Sequence, residues 1–482
     1  MQSQYQRGPK RTYDLWAQET GDDSWSWDNF LPFLKQPVDF TPPGDYAANL
    51  TPKYDASDYS STGGPLQVSY PQFLAPSGSF VGAGLTSLGL KELPGMVDGN
   101  LLGWTSCACT IDPMTQTRSS SETSMLREAI ETNFNLQVYT HALAKKILFN
   151  DKKRAVGVKV QVSGVGSGDV AFTLRANKEV IVSAGAFRTP QLLMASGIGP
   201  KQTLEKYDID VLSDRGGVGQ NMQDHIWVAI TREFNVVTAA ALADPDYLAF
   251  ANAEYAENMT GIDTNPAGTL ISFEKLPAGS ISKETRKDLD NKYGGDYPDV
   301  EYFSQDAYSG TNDDYLLSAP DLKNYSAVAA TVVAPFSRGS VTISSKDTNI
   351  HPVVDPNWLT DPRDMEVLIA GFKRVRQLFD SSAAKAGLIG PEVYPGKNVT
   401  TDAQIEAVIR KSADTVFHPA GTAKMGQTSD QDAVLDSKAQ VIGVKGLRVV
   451  DASAFPLLPP GHPQGTVYGF AEKIAHDILQ TA

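Results

Sequence analysis

Leu447-Arg-Val-Val-Asp451-Ala452-Ser-Ala-Phe-Pro-Leu-Leu-Pro-Pro-Gly-His462-Pro463-Gln464-Gly-Thr466 decides how this chain is read. A short apolar strand stops at Asp451. A loop restrained by Pro459, Pro460 and Pro463 follows, and a helix begins beyond it. That helix carries Val467, Phe470, Ala471, Ile474, Ile478 and Leu479 on one face, the spacing of a buried stripe. Strand, stiff loop and helix N-terminus form a natural site for an anionic or electron-rich group, because free N–H groups and the helix dipole converge there. His462 would be held by a stiff backbone. The competing reading is a proline-rich turn with an incidental histidine.

Working back from it, Phe417-His418-Pro-Ala-Gly-Thr-Ala-Lys-Met-Gly426 sets a second histidine on a loop. A neutral imidazole suits removal of a hydroxyl proton near neutral pH. A buried, hydrogen-bonded structural histidine is equally compatible with that segment. Glu179-Val-Ile-Val-Ser-Ala-Gly185 has a continuous apolar centre and leads into a helix, as buried parallel strands do. Parallel-type strands thus occur mid-chain and again at the C-terminus, with antiparallel-looking material between.

The remaining elements follow from periodicity. Residues 10–35 are expected to form helix–loop–helix anchored by Trp16, Trp25, Trp27, Phe30, Leu31 and Phe33, and 36–100 an irregular surface segment. Ser121 is a candidate N-cap for a helix reaching Thr132. Strands are expected at 136–139, 142–148, 156–162 and 170–175, and again at 327–333 and 341–344. Gly164-Val-Gly-Ser-Gly-Asp169 joins two period-two segments and is expected to be a hairpin turn. Asp364–Phe379 has helical spacing, while residues 226–330 are weakly patterned. The fold class is therefore α/β (α+β overall): a discontinuous Rossmann-like nucleotide-binding domain with an inserted antiparallel-sheet substrate domain.

Composition narrows the function. The 482 residues exceed one ordinary core, so two interlocked domains are expected. With 42 Lys plus Arg against 56 Asp plus Glu, the net charge of −14 disfavours nucleic acid as a partner. No apolar run reaches membrane-spanning length. Cys107 and Cys109 are too close for a good disulfide and too few for a zinc site, so they read as packing residues. Sequons at Asn49, Asn258, Asn324 and Asn398 favour a glycoprotein of the secretory route, although the first residues contain no signal peptide.

These blocks together resemble the glucose–methanol–choline (GMC) oxidoreductases, particularly fungal members. Gly185-Ala-Phe-Arg-Thr-Pro…Ser196-Gly-Ile-Gly199, Gly217-Val-Gly-Gln-Asn-Met-Gln-Asp-His225, the His418 block and the 450–464 block stand in that family's order. Tyr5-Gln-Arg-Gly8 and Trp25–Phe33 are similar to the segment after its flavin-binding loop. The resemblance implies FAD as cofactor and a small-molecule alcohol as substrate, whose hydride passes to flavin N5. It implies catalytic roles for His418 and His462, one taking the hydroxyl proton and the other hydrogen-bonding the same oxygen. It implies cofactor contacts at Val138, Asp451, Ala452, Pro463 and Gln464. It assigns residues 1–225 to the remaining FAD-binding region (36–132 partly irregular), 226–415 to the substrate domain, and 416–482 to the return to the FAD domain. His225 closes a family block and is expected to be structural. His141, His351 and His476 are given no chemical role.

One feature of the family is missing. Its opening strand, GxGxxG turn and acidic ribose partner do not occur in this sequence. The expectation is a chain that begins within the FAD domain and, expressed from Met1, holds FAD weakly. Two other functions compete with alcohol oxidation: a non-redox lyase or cyclase on the same scaffold, and an inactive chain without flavin. Tyr302, Phe303 and Tyr308 give a mild preference for an aromatic or furan-type alcohol.

Overall fold

The structure, a computed structural model, describes residues 3–44, 51–162, 170–268, 270–310, 321 and 323–481. Its largest sheet has seven strands. The main order is Leu388–Tyr394, Ile226–Phe234, Tyr325–Val332, Val300–Gln305, Leu270–Glu274 and Gly103–Ser106, and Asp414–Thr415 also pairs with Ile226–Phe234. All its ladders are antiparallel. Tyr325–Val332 and Val300–Gln305 are buried along their whole length, which explains why 226–330 shows little alternation.

The helix Pro362–Asp380 covers one face of this sheet. Asp361 caps it by accepting from the Arg363 N–H. Its Leu368, Phe372, Val375 and Phe379 join Val300, Tyr302, Val328 and Ala330 in one apolar cluster. Gly371 permits the close approach, since a Cβ there would lie 2.9 Å from Val300. The other face carries Trp227, Ile271, Phe273, Phe303, Ala327 and Ala329. That face meets the histidine loops.

The second layer is the parallel pair Val180–Val182 and Leu447–Val449, in register Leu447↔Val180 and Val449↔Val182. Both strands lie in a cluster with Trp16, Trp25, Phe30, Leu193, Phe455 and Phe470. The helices Lys10–Thr20, Trp27–Lys35 and Gln464–Thr481 therefore pack together, with the Trp25 and Phe470 rings stacked at 5.4 Å. An antiparallel sheet of three strands, Ala142–Phe149, Ala155–Val162 and Ala171–Arg175, lies in the same part of the chain. The hairpin Ser340–Thr342 and Val353–Asp355 comes from the middle of the chain, yet it also packs here. Val341 N donates to Gly219 O at 2.7 Å, and Thr348 Oγ1 donates to Ala144 O at 3.1 Å.

Several local expectations change. Residues 136–139 form no strand: Leu136, Val138 and Tyr139 are exposed, and sheet pairing begins at Ala142. Ser121 makes no cap. A π-helical turn, Glu122–Leu126, precedes the helix Arg127–Thr132, and Ser120 Oγ accepts from Thr123 N at 3.3 Å instead. The segment 36–100 is not wholly irregular, for it holds the parallel pair Val38–Phe40 and Leu66–Val68 and the helix Ser77–Ser87. The expected turn at 164–169 lies outside the described residues, although the flanking strands pair as a hairpin requires. Cys107 and Cys109 are free and buried. Among the described residues no helix is long and apolar enough to cross a membrane, and no cluster of three metal-ligating side chains occurs.

Candidate active site

His462 projects from the proline loop over the inner face of the large sheet. Gly461 before it has φ +84°, and a Cβ there would fall 1.5 Å from Gln6 Nε2. Both facts restrict the position to glycine. His462 Nε2 meets Glu301 Oε1 at 3.0 Å. Glu301 stands on the strand Val300–Gln305, fully buried, and its second oxygen, Oε2, has no partner. With Glu301 as a carboxylate, which can only accept, the hydrogen of this contact is His462 Nε2–H.

His418 follows Phe417, whose φ of +63° is unusual for a bulky residue. Asp224 stabilises this turn. Its Oδ1 accepts from both the His418 N–H (3.0 Å) and the His225 N–H (2.9 Å), and its Oδ2 accepts from Thr415 Oγ1 at 2.6 Å. Burial pushes the Asp224 carboxyl up to about 6, against the pull of these hydrogen bonds. One side chain thus anchors the backbone of two histidines almost two hundred residues apart in sequence.

The His418 and His462 rings lie 4.9 Å apart at 79°, with only 6% of His418 exposed. His225 closes the group: its Nδ1 lies 3.1 Å from His418 Nδ1, with the rings at 86°. Burial, then His462 and then His225, hold the His418 pKa well below 6.5. Burial first, and His462 second, lower His225 to about 3. Among the described residues, neither His418 Nε2 nor His462 Nδ1 has a hydrogen-bond partner. These are the two nitrogens open to a substrate. Phe303 flanks them, its ring 6.3 Å from that of His462.

The other expected site residues are placed as follows. Asp451 is buried. Its Oδ2 accepts from Thr189 Oγ1 (2.6 Å) and Gly185 N (3.0 Å), and its Oδ1 from Ser453 N (2.7 Å). It therefore caps the helix Gly185–Ala195. Ala452 O accepts from Gly421 N at 3.0 Å, which ties this loop to the His418 block. Pro463 O accepts the first bond of the last helix, from Val467 N. Gln464 Nε2 donates to Ser3 O and Gln4 O at 2.9 and 2.8 Å. Val138 stands apart, half exposed beside Tyr139. Of the three aromatics singled out earlier, Phe303 alone joins the histidines. Tyr302 points to the opposite sheet face, donating to Glu274 Oε2 at 2.8 Å, and Tyr308 packs on Tyr325.

Next to the histidines runs the strap 3–8, in which both amide atoms of Gln6 and Arg7 Nε and Nη2 are buried without partners; Ser453 Oγ, on the 3₁₀ turn after Asp451, is buried without one too. Each unmade buried hydrogen bond costs about 1–3 kcal/mol. A flat ring with a polar edge, such as an isoalloxazine, fits this set. The pyrophosphate of a dinucleotide needs free N–H groups at a helix start after a strand. At Gly185, the helix start following Val180–Val182, the Asp451 carboxylate already occupies that position. The described residues thus fit the ring end of FAD.

Glu301, Asp224 and His225 were not read as site residues. His225 had a signal in its position at the end of a family block beside Asp224. Glu301 had none, because an acid within a strand reads as solvent-facing unless its cross-sheet neighbours are known.

Comparison with known proteins agrees with this geometry. GMC oxidoreductase family models match residues 2–227 and 335–471. The chain is 45% identical over 481 residues to patulin synthase of Aspergillus clavatus, covering 98% of this chain and 76% of that protein. It is 42% identical over 478 residues to versicolorin B synthase of Aspergillus parasiticus, covering 98% and 72%. Among solved structures, an FAD-dependent oxidoreductase from Chaetomium thermophilum superposes with TM-score 0.88 at 27% identity, over 99% of this chain and 84% of that one. A formate oxidase superposes with TM-score 0.87 at 26% identity, over 100% and 82%. The chain therefore belongs to the GMC oxidoreductase family, and it is an FAD-dependent oxidoreductase of the kind that oxidises alcohol-type substrates.

Proposed function

We propose that His418 and His462 bind one hydroxyl oxygen between them and drive oxidation of an alcohol to a carbonyl. The observation that carries this reading is the 4.9 Å separation of the two rings, each with one unpaired nitrogen. His418 Nε2 takes the hydroxyl proton. His462, held at Nε2 by Glu301, contacts the same oxygen through Nδ1, which must carry a proton of its own to stabilise the charge that develops there. FAD, when bound, supplies the acceptor for the hydride that leaves the carbinol carbon. Gln6, Ser453 and the backbone of 451–464 would hold the ring end of that cofactor. The division at 225/226 and 415/416 into FAD-binding and substrate parts belongs to the same proposal. Its support is the cluster uniting 13–34, 147–218 and 420–474, which Ile343 of the 340–355 hairpin joins across the 226–415 boundary.

Trp227, Phe273 and Phe303 form an apolar wall on the sheet face beside His462. That wall favours an aromatic or furan-type alcohol. Glu301 Oε2 and Thr331 Oγ1 project from cross-strand partners on this face and are both unpaired, which suits a second polar group on the substrate. The test is anaerobic addition of an aromatic alcohol to the flavin-loaded protein. Bleaching of the flavin absorbance, with aldehyde formed in equal amount, is the expected result. Turnover with no bleaching at any point would assign the scaffold to non-redox chemistry.

The buried, neutral state of His418 has a pH consequence. A base whose pKa lies well below 6.5 stays unprotonated as pH falls through that value. We expect kcat/KM to remain level down through pH 6.5, with its acid limb at lower pH. An acid limb centred at or above 6.5 would mean that a more exposed group takes the proton.

A further inference from the structure

We propose that His225 is a positioning residue that holds His418 in the tautomer protonated on Nδ1, so that Nε2 keeps its lone pair for the substrate hydroxyl. The proposal rests on His418 being the proton acceptor. Two Nδ1 atoms stand 3.1 Å apart, so one must donate and the other accept. If His225 donated, the single proton of His418 would sit on Nε2, and the ring would offer the pocket a donor instead of a base. A base at His418 Nε2 requires the other arrangement. The His225 ring is completely buried, and burial keeps it neutral, with one proton to place. His225 Nε2 is buried and makes no hydrogen bond among the described residues, so the contact to His418 is the one that fixes the ring. The proton of His225 therefore belongs on Nε2, its Nδ1 accepts, and His418 Nδ1–H donates.

The arrangement is rigid at both ends. Asp224 Oδ1 accepts the backbone N–H of both histidines, which fixes where the two rings stand relative to each other.

The experiment is long-range proton–nitrogen NMR on the whole chain labelled at its six histidines, with His418 assigned by the peaks missing in His418→Gln. The expected spectrum has a protonated His418 Nδ1 and an unprotonated Nε2. A protonated Nε2 in the wild-type protein overturns the proposal. That outcome would also remove His418 as base, whereas an unprotonated Nε2 that persists unchanged in His225→Leu would overturn the positioning role alone and leave the base assignment standing. In His225→Leu the tautomer should become mixed and kcat fall about tenfold with KM little changed. His225→Asn sets an amide oxygen where Nδ1 stood and should restore the tautomer and most of the lost kcat. Equal losses in both variants with an unchanged His418 spectrum would make His225 a packing residue only.

Discussion

Replacing His418 with alanine is expected to lower kcat by about 10²–10⁴-fold, the range of a lost general base, while bound flavin changes little. The second half follows from geometry. The His418 ring is directed at His462 and His225, whereas the cofactor-side atoms come from Gln6, Ser453 and the 451–464 backbone. His462→Ala should act in the same direction through loss of the second contact to the oxygen. Stopped-flow measurement of the reductive half-reaction with flavin absorbance checks both variants. Losses of only a few-fold at both positions would remove the histidine pair from the chemistry. Loss of flavin in proportion to activity would make His418 a binding residue.

Replacing Glu301 with leucine is expected to lower kcat by about 10²-fold, because a catalytic group displaced by about 1 Å can lose that much. Glu301 Oε1 is the only hydrogen-bond partner of the His462 ring among the described residues. The leucine should not unfold the chain, since it replaces a fully buried carboxylate whose Oε2 is unpaired. Glu301→Gln separates geometry from charge. Its amide oxygen still accepts from His462 Nε2–H, so orientation and most of kcat should persist. The comparison is kcat and KM for both variants against thermal stability. A glutamine variant as impaired as the leucine would mean that charge, not orientation, is what His462 needs. A leucine variant within a few-fold of the parent would show that the loop backbone orients His462 unaided.

The sequence by itself determined the parts whose cause is local. Period-two runs produced Ala155–Val162 and its partner, and helical spacing produced Pro362–Asp380 within a residue or two and the existence of the last helix, Gln464–Thr481. Clustered prolines and glycines marked the His418 and His462 loops, because restricted backbone is written in residue type. Local pattern failed where tertiary packing overrides it. The helix Ser77–Ser87 carries Gly78, Gly82 and Gly84, which argue against a helix. It forms because Gly82 and Gly84 admit Trp104 and Leu378, each 2.9 Å from where a Cβ would be. Residues 136–139 have strand-type side chains but no neighbouring strand to pair with.

The site divides in the same way. His418 and His462 could be named from their loops, but their separation could not. It depends on Asp224 tying the turn after Asp414–Thr415 to the start of Ile226–Phe234, and on the proline loop crossing the sheet. Only the tertiary structure decided that Glu301 reaches His462 and that His225 reaches His418. Each contact joins residues more than 150 positions apart, and a side chain's hydrogen-bond partner at that range is set by the packing of whole layers, not by its neighbours in the chain.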